Sequence, residues 1–250
     1  MNIFPKCLLS LDRPWCKFKI IVGVIIGCCS LAGSNALASG LYTTPQYVSV
    51  QRDSKAIYDQ AVRDYFDGRN LDAKKRYESL SGTDYSAISA VPAAVNLIAL
   101  GDYSQAKLAF INIQENSQSR EREYAQLWEL WITAKQWKGN RNALNQELQR
   151  LVNSHNWQSS YMHTIAGLYA GQETVENVFR AVAAINNDAA REKDAYTEAT
   201  FFTGGYLQNV KHNGVAARKL FNSNLNELNR VSLERTLIER EIATLKKPIH

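Results

Sequence analysis

Gly101-Asp-Tyr-Ser-Gln-Ala106-Lys-Leu-Ala-Phe110 decides the fold, because its spacing also occurs upstream as Gly68-Arg-Asn-Leu-Asp-Ala73-Lys-Lys-Arg-Tyr77. Each copy reads Gly-x4-Ala-x3-aromatic, and the glycines stand 33 residues apart (68 to 101). A glycine at such a place marks a tight turn between two helices, where it tolerates backbone angles that other residues avoid. The small alanine lets the second helix approach the first, and the aromatic one turn later fills the space between neighbouring hairpins. A period of this length is the mark of a helical repeat that stacks into a solenoid and offers a surface to other proteins.

Working outward, residues 54–80 carry Ile57, Ala61, Tyr65, Ala73, Tyr77 and Leu80 at helical spacing and form the first hairpin. A loop at 81–87 leads to a second hairpin over about 88–115, with Pro92 near its start, where proline is tolerated. The third pair is rich in aromatics (Tyr124, Trp128, Trp131) and turns near Lys138-Gly139-Asn140, with Leu144 and Leu148 at the positions of Ala and aromatic. A fourth pair runs over about 156–185 around Ala170-Gly171-Gln172. A fifth spans about 195–227 around His212-Asn213-Gly214, where Ala217-x3-Phe221 restores the signature. Gly204-Gly205 in its first helix breaks the pattern. A last amphipathic helix over about 231–245 ends before Pro248 and is suited to cap the stack. No stretch alternates with period two for long enough to make a strand. The expected fold is all-α, a tetratricopeptide-like solenoid of about five helical hairpins plus a C-terminal capping helix over residues 54–250, after an extended lead-in at 39–53 that contains Pro45.

The N-terminus has another purpose. Lys17 and Lys19 precede the apolar run Ile20–Gly33, and Ser34-Asn35-Ala36-Leu37-Ala38 places small residues at the −3 and −1 positions before Ser39. Basic head, apolar core and A-x-A site read as a signal peptide over residues 1–38, which sends the body to the periplasm. The run is shorter than the roughly 20 apolar residues that a spanning helix needs. A second processing route stands beside the first: Ile25-Ile26-Gly27-Cys28 is a loose lipobox, which would acylate Cys28 and give an outer-membrane lipoprotein facing the periplasm. Membrane attachment is expected only by that route.

Composition narrows the function. The formal charge of +5 falls to +2 once the first 38 residues, with Lys6, Arg13, Lys17 and Lys19 against Asp12, are set aside. Later basic residues alternate with acids, which gives no basic stripe for nucleic acid. All four cysteines lie at or before Cys29, so the body contains no thiol nucleophile and no disulfide. His155 and His163 lack the further ligands that a zinc site requires, His212 falls in a turn, and His250 is the last residue. Glu173 and Glu176 are three apart, but Gln172, Thr174 and Asn177 around them read as a helix start rather than a catalytic pair. The sequence contains no P-loop, G-x-S-x-G or H-E-x-x-H motif. No enzyme activity, cofactor or metal is expected.

The 33-residue period is within one residue of the tetratricopeptide repeat, whose first helices line the concave face. Counting back from the turn glycines puts Tyr58, Tyr65 and Phe66 of the first pair there, with Gln126, Glu129, Thr133, Gln136 and Trp137 of the third. Amides and aromatics together suit an extended peptide. From about residue 120 onward the chain also resembles the lipoprotein NlpI family of periplasm-facing tetratricopeptide proteins. The matching stretches are Leu127–Lys135, Asn156-Trp-Gln through Gly167–Gly171, Glu198–Tyr206, and Ala216–Asn229 with the helix after it. That resemblance implies an adaptor, often a homodimer, that brings envelope proteases and peptidoglycan hydrolases to their substrates or partners. An assembly factor of a secretion, conjugation or pilus system would use the same groove for another client. A cell-wall hydrolase would instead need a buried carboxylate of raised pKa inside a cleft.

Overall fold

The computed structural model describes residues 46–185 and 188–245. The expected signal peptide over 1–38, the lipidation candidate Cys28 and His250 lie outside the described residues. Residues 52–250 form one compact unit and residues 1–51 another, of which only the first residues of a helix are described. The described residues are all-helical, with eleven helices and no strand. None of these helices is long and apolar enough to cross a membrane.

Ten of the helices form five successive pairs: α1 (Gln46–Phe66) with α2 (Asn70–Ser79), α3 (Ser86–Leu100) with α4 (Tyr103–Asn116), α5 (Ser119–Gln136) with α6 (Arg141–Ser154), α7 (Ser160–Tyr169) with α8 (Val175–Ala183), and α9 (Ala189–Asn209) with α10 (Gly214–Asn224). The eleventh, α11, runs Leu233–Leu245. Helix α1 begins at Gln46, so residues 46–53 are helical rather than extended. No glycine or proline interrupts Gln46–Phe66, and the helix propagates back to the residue after Pro45. Pro92 lies inside α3, not in its first turn. It is buried there among Val91, Ala94 and Val95, and apolar packing outweighs the roughly 3 kcal/mol that an interior proline costs a helix.

One numbering unites the five pairs. The second helices are preceded by N-caps at Arg69, Asp102, Asn140, Thr174 and Asn213. Four residues beyond each cap stand Ala73, Ala106, Leu144, Val178 and Ala217, and eight beyond stand Tyr77, Phe110, Leu148, Val182 and Phe221. All ten are buried. Counted from the cap, the two buried positions therefore recur in every pair, although their residue types and the glycine do not. Asp102, Asn140, Thr174 and Asn213 each accept a hydrogen bond from the backbone N–H three residues on, which satisfies one of the orphan donors of a helix start.

The turns explain the drifting glycine. Gly68, Gly101 and Gly171 are left-handed, with φ of 77°, 78° and 75°. In each case the glycine N–H bonds back three residues and the next N–H bonds back five, as with Gly101 to Ile98 and Asp102 to Leu97. The third turn leaves α5 through extended Trp137, and in the fifth His212 takes the left-handed position at φ 53°.

Aromatic packing fills the middle of the stack. Trp128, fully buried on α5, stacks on Phe110 of α4 (5.2 Å between ring centroids, 6° between planes) and meets Phe201 of α9 at 4.9 Å. Trp131 lies 5.4 Å from the same Phe201. First helices of the third and fifth pairs thus touch directly, while α7, only 10 residues long, packs against both.

Candidate partner-binding face

Helix α5 presents two opposed faces, each set by i, i+3/i+4 spacing. Tyr124, Trp128, Trp131 and Lys135 point toward α9 and α11: Tyr124 Oη donates to Glu234, and Lys135 Nζ lies 3.4 Å from Glu241. Glu129 and Thr133 point the other way, into a buried seam with α4, and Gln126 is buried on the same side of the helix. There Gln114 Nε2 donates to Glu129 (2.9 Å), Lys107 Nζ donates to Thr133 Oγ1 (3.3 Å), and His155 Nε2 lies 3.7 Å from Glu129. Burial pushes the Glu129 carboxyl up, but His155, Gln114 and Lys107 together hold it below the usual carboxylate range.

The eight residues expected to line one groove therefore separate. Glu129 and Thr133 are buried in the seam, Gln126 is buried, and Tyr65 is fully buried with its hydroxyl donating to Leu233 O (2.7 Å). Tyr58 and Phe66 are half-buried, Tyr58 against Tyr85 (5.7 Å) and Phe66 edge-on to Tyr65 (5.5 Å). Gln136 is exposed. Trp137 is half-buried, and its indole N–H closes the turn by donating to Asn140 O (3.0 Å). In the third pair the reason is phase: a turn residue fixes where the chain bends, and that turn lacks the left-handed glycine from which the count was made; in the first pair Tyr65 is buried where its hydroxyl meets the start of the last helix.

Helix α11 lies on the face that the first helices share. It packs against α9 and α10, as a cap of the last pair would. It also reaches back along the stack, since Tyr65 of α1 holds its first carbonyl and Arg240 Nη2 donates to Ala99 O in the last turn of α3 (2.7 Å). Glu241 is shared by Lys135 of α5 and Gln208 of α9 (3.0 Å to the latter). Leu237, Ile238 and Ile242 are buried beneath it. Nothing in the repeat signature foretold this placement. Its trace in the sequence is the alternating charge Glu239-Arg240-Glu241 in an amphipathic helix.

A buried polar layer joins α11 to the stack. Arg120 donates to Glu198 (2.9 Å) and to Tyr161 Oη (2.9 Å), and Tyr161 Oη donates to the other Glu198 oxygen (2.8 Å). Glu234 of α11 accepts from Tyr124 and Ser232, while Asn229 donates to Asp194. Burial pushes the Glu198 carboxyl up to about 7 against the pull of Arg120, with the charges of Glu234 and Asp194 adding to the rise. Burial likewise raises Glu234, against its hydrogen bonds from Ser232 and Tyr124. Glu198 has the raised carboxyl that a hydrolase would need, but it is 3% exposed and Glu234 4%. Both are buried with their oxygens engaged by protein donors, which describes a structural layer rather than a cleft open to polysaccharide.

The other chemistry-bearing residues stand apart. His155 follows α6 while His163 is exposed on α7, and Glu173 and Glu176 bond their own helix neighbours Asn177 and Arg180. Among the described residues no three His, Cys, Asp or Glu side chains are grouped to hold a metal ion. No known protein family matches the chain, and no curated protein matches it.

Proposed function

We propose that this chain is an exported, noncatalytic adaptor of the bacterial envelope that binds other proteins through its hairpin stack. The observation that carries the reading is the fivefold recurrence of the buried pair four and eight residues after the second-helix cap, from Ala73 and Tyr77 to Ala217 and Phe221. Stacked hairpins of this kind present one long surface to a partner rather than a reactive centre. The basic, apolar and A-x-A segments before Ser39 support a periplasmic location. The resemblance to the lipoprotein NlpI family supports proteases and peptidoglycan hydrolases as the partners, with a homodimer as the assembly.

Photo-crosslinking from Gln136 and Tyr58, followed by mass spectrometry of the adducts formed in envelope extract, tests this reading. Adducts with a protease or peptidoglycan enzyme are expected. Adducts with secretion or pilus components would reassign the client. Absence of adducts, with release of soluble fragments from peptidoglycan by the purified chain, would overturn the adaptor reading in favour of a hydrolase.

A further inference from the structure

A permanent core helix and a removable one differ in what they bury. Over 13 residues α11 buries three aliphatic side chains, but also the Glu234 carboxylate, and it relies on Arg240 and Glu241 for contacts with α3, α5 and α9. Burying a carboxylate is costly unless its partners are in place. The tether from α10 is nonhelical over residues 225–232, which allows a reach of roughly 26 Å when extended. A helix as short as α11 is marginal alone in water, so its order depends on the surface beneath it.

We propose that the first-helix face is a binding site for an amphipathic helix, that α11 fills this site in cis, and that a partner's helix enters by displacing it. The recognised pattern can be read from α11 itself. Apolar residues occupy its first, fifth, sixth and tenth positions (Leu233, Leu237, Ile238, Ile242), an acid at the second faces Tyr124, and an acid at the ninth faces Lys135. The base at the eighth position, Arg240, meets the last turn of α3, where carbonyls lack helical donors and the helix dipole attracts a cation. The incoming helix is thus amphipathic, carries acids at both ends of its apolar stripe, and has a base beside the second acid. The adaptor reading supplies the assumption that such a helix belongs to an envelope protein.

The test is a titration of a fluorescent peptide of residues 231–245 into three full-length chains: wild type, Glu241→Lys, and the swap Lys135→Glu/Glu241→Lys. Glu241→Lys sets two ammonium groups against each other and releases α11 while leaving Lys135 for the peptide. It is expected to bind about tenfold tighter than wild type, the scale of one partly exposed ion pair lost and reversed. The swap restores an ion pair in cis and sets the peptide's own Glu241 against a carboxylate at position 135, so binding falls below the wild-type level. Equal affinity in all three chains, or none in the Glu241→Lys chain, overturns the proposal. Amide hydrogen exchange on the wild-type chain provides a readout that needs no variant. Amides of α11 are expected to exchange at least about tenfold faster than those of α5 and α9, as a separately opening unit does; exchange at one common rate overturns the proposal. Failure to capture any envelope protein would sink the adaptor reading and leave both of these readouts unchanged.

Discussion

Gly204→Ala is the substitution whose outcome follows most directly from the packing. Gly204 lies inside α9, where alanine would ordinarily gain about 1 kcal/mol of helix propensity over glycine. A β-carbon at this position would lie 3.0 Å from Phe221 Cδ1 and closer still to Cε1 and Cζ, whereas nonbonded carbons settle at about 3.5–4.0 Å. Phe221 cannot yield easily, since it is 1% exposed and occupies the position eight residues after the fifth cap. Overpacking of a tight core costs about 1–3 kcal/mol or more, and a contact this close belongs at the upper end. The net expectation is destabilisation by about 2 kcal/mol, read as a lower urea midpoint with an unchanged slope. Phe221→Leu, which shortens the opposing side chain, should recover part of the loss in the double variant although it is destabilising alone. A Gly204→Ala chain as stable as wild type, or losses that simply add in the double variant, would refute the α9–α10 packing.

Three further outcomes are expected. Glu198 has a folded pKa above its usual value of 4.5, at about 7, so its contribution is fully present below about pH 4.5 and is lost as pH rises through 7. Urea midpoints should therefore fall between pH 5 and 8, by at most about 3 kcal/mol from this group, and Glu198→Gln should flatten that fall. Asp64 behaves oppositely: burial pushes its carboxyl up, but hydrogen bonds from Arg76, Arg69 and Gln60 outweigh it and hold it at about 2. Its stabilisation is lost as pH falls toward 2, and Asp64→Asn should lessen the acid sensitivity of the chain. Trp128→Ala should cost about 3–5 kcal/mol by thermal or urea unfolding because the ring is fully buried among Phe110, Phe201 and Phe202; a loss below 1 kcal/mol would contradict the aromatic core.

The two clearest repeats were legible because Gly68 and Gly101 stand directly before their caps and both turn in the left-handed conformation. The fourth pair was harder to read, since Gln172 and Glu173 intervene between Gly171 and its cap Thr174. The fifth was disguised because His212 takes the place of glycine. Gly204-Gly205, which breaks the pattern in the sequence, is a close approach: a β-carbon on Gly205 would lie 3.3 Å from Tyr169 Oη and closer to the Trp131 indole. The orientation of α5 escaped the sequence because Glu129 and Thr133 have polar partners on α4 that local spacing cannot register. The seat of α11 escaped it for the same reason, as it depends on Tyr65, Ala99 and Lys135, each more than 100 residues away from its partner on that helix.

Quantitative capture from envelope extract with the wild-type, Glu241→Lys and Lys135→Glu/Glu241→Lys chains tests the central claim, that this hairpin stack works by binding other proteins. One common set of envelope proteins is predicted, several times more abundant with Glu241→Lys than with the wild-type chain and no more abundant than wild type with the swap, which both restores the pair in cis and repels an incoming acid. Capture no greater than that of an unrelated control protein with every chain would contradict the account.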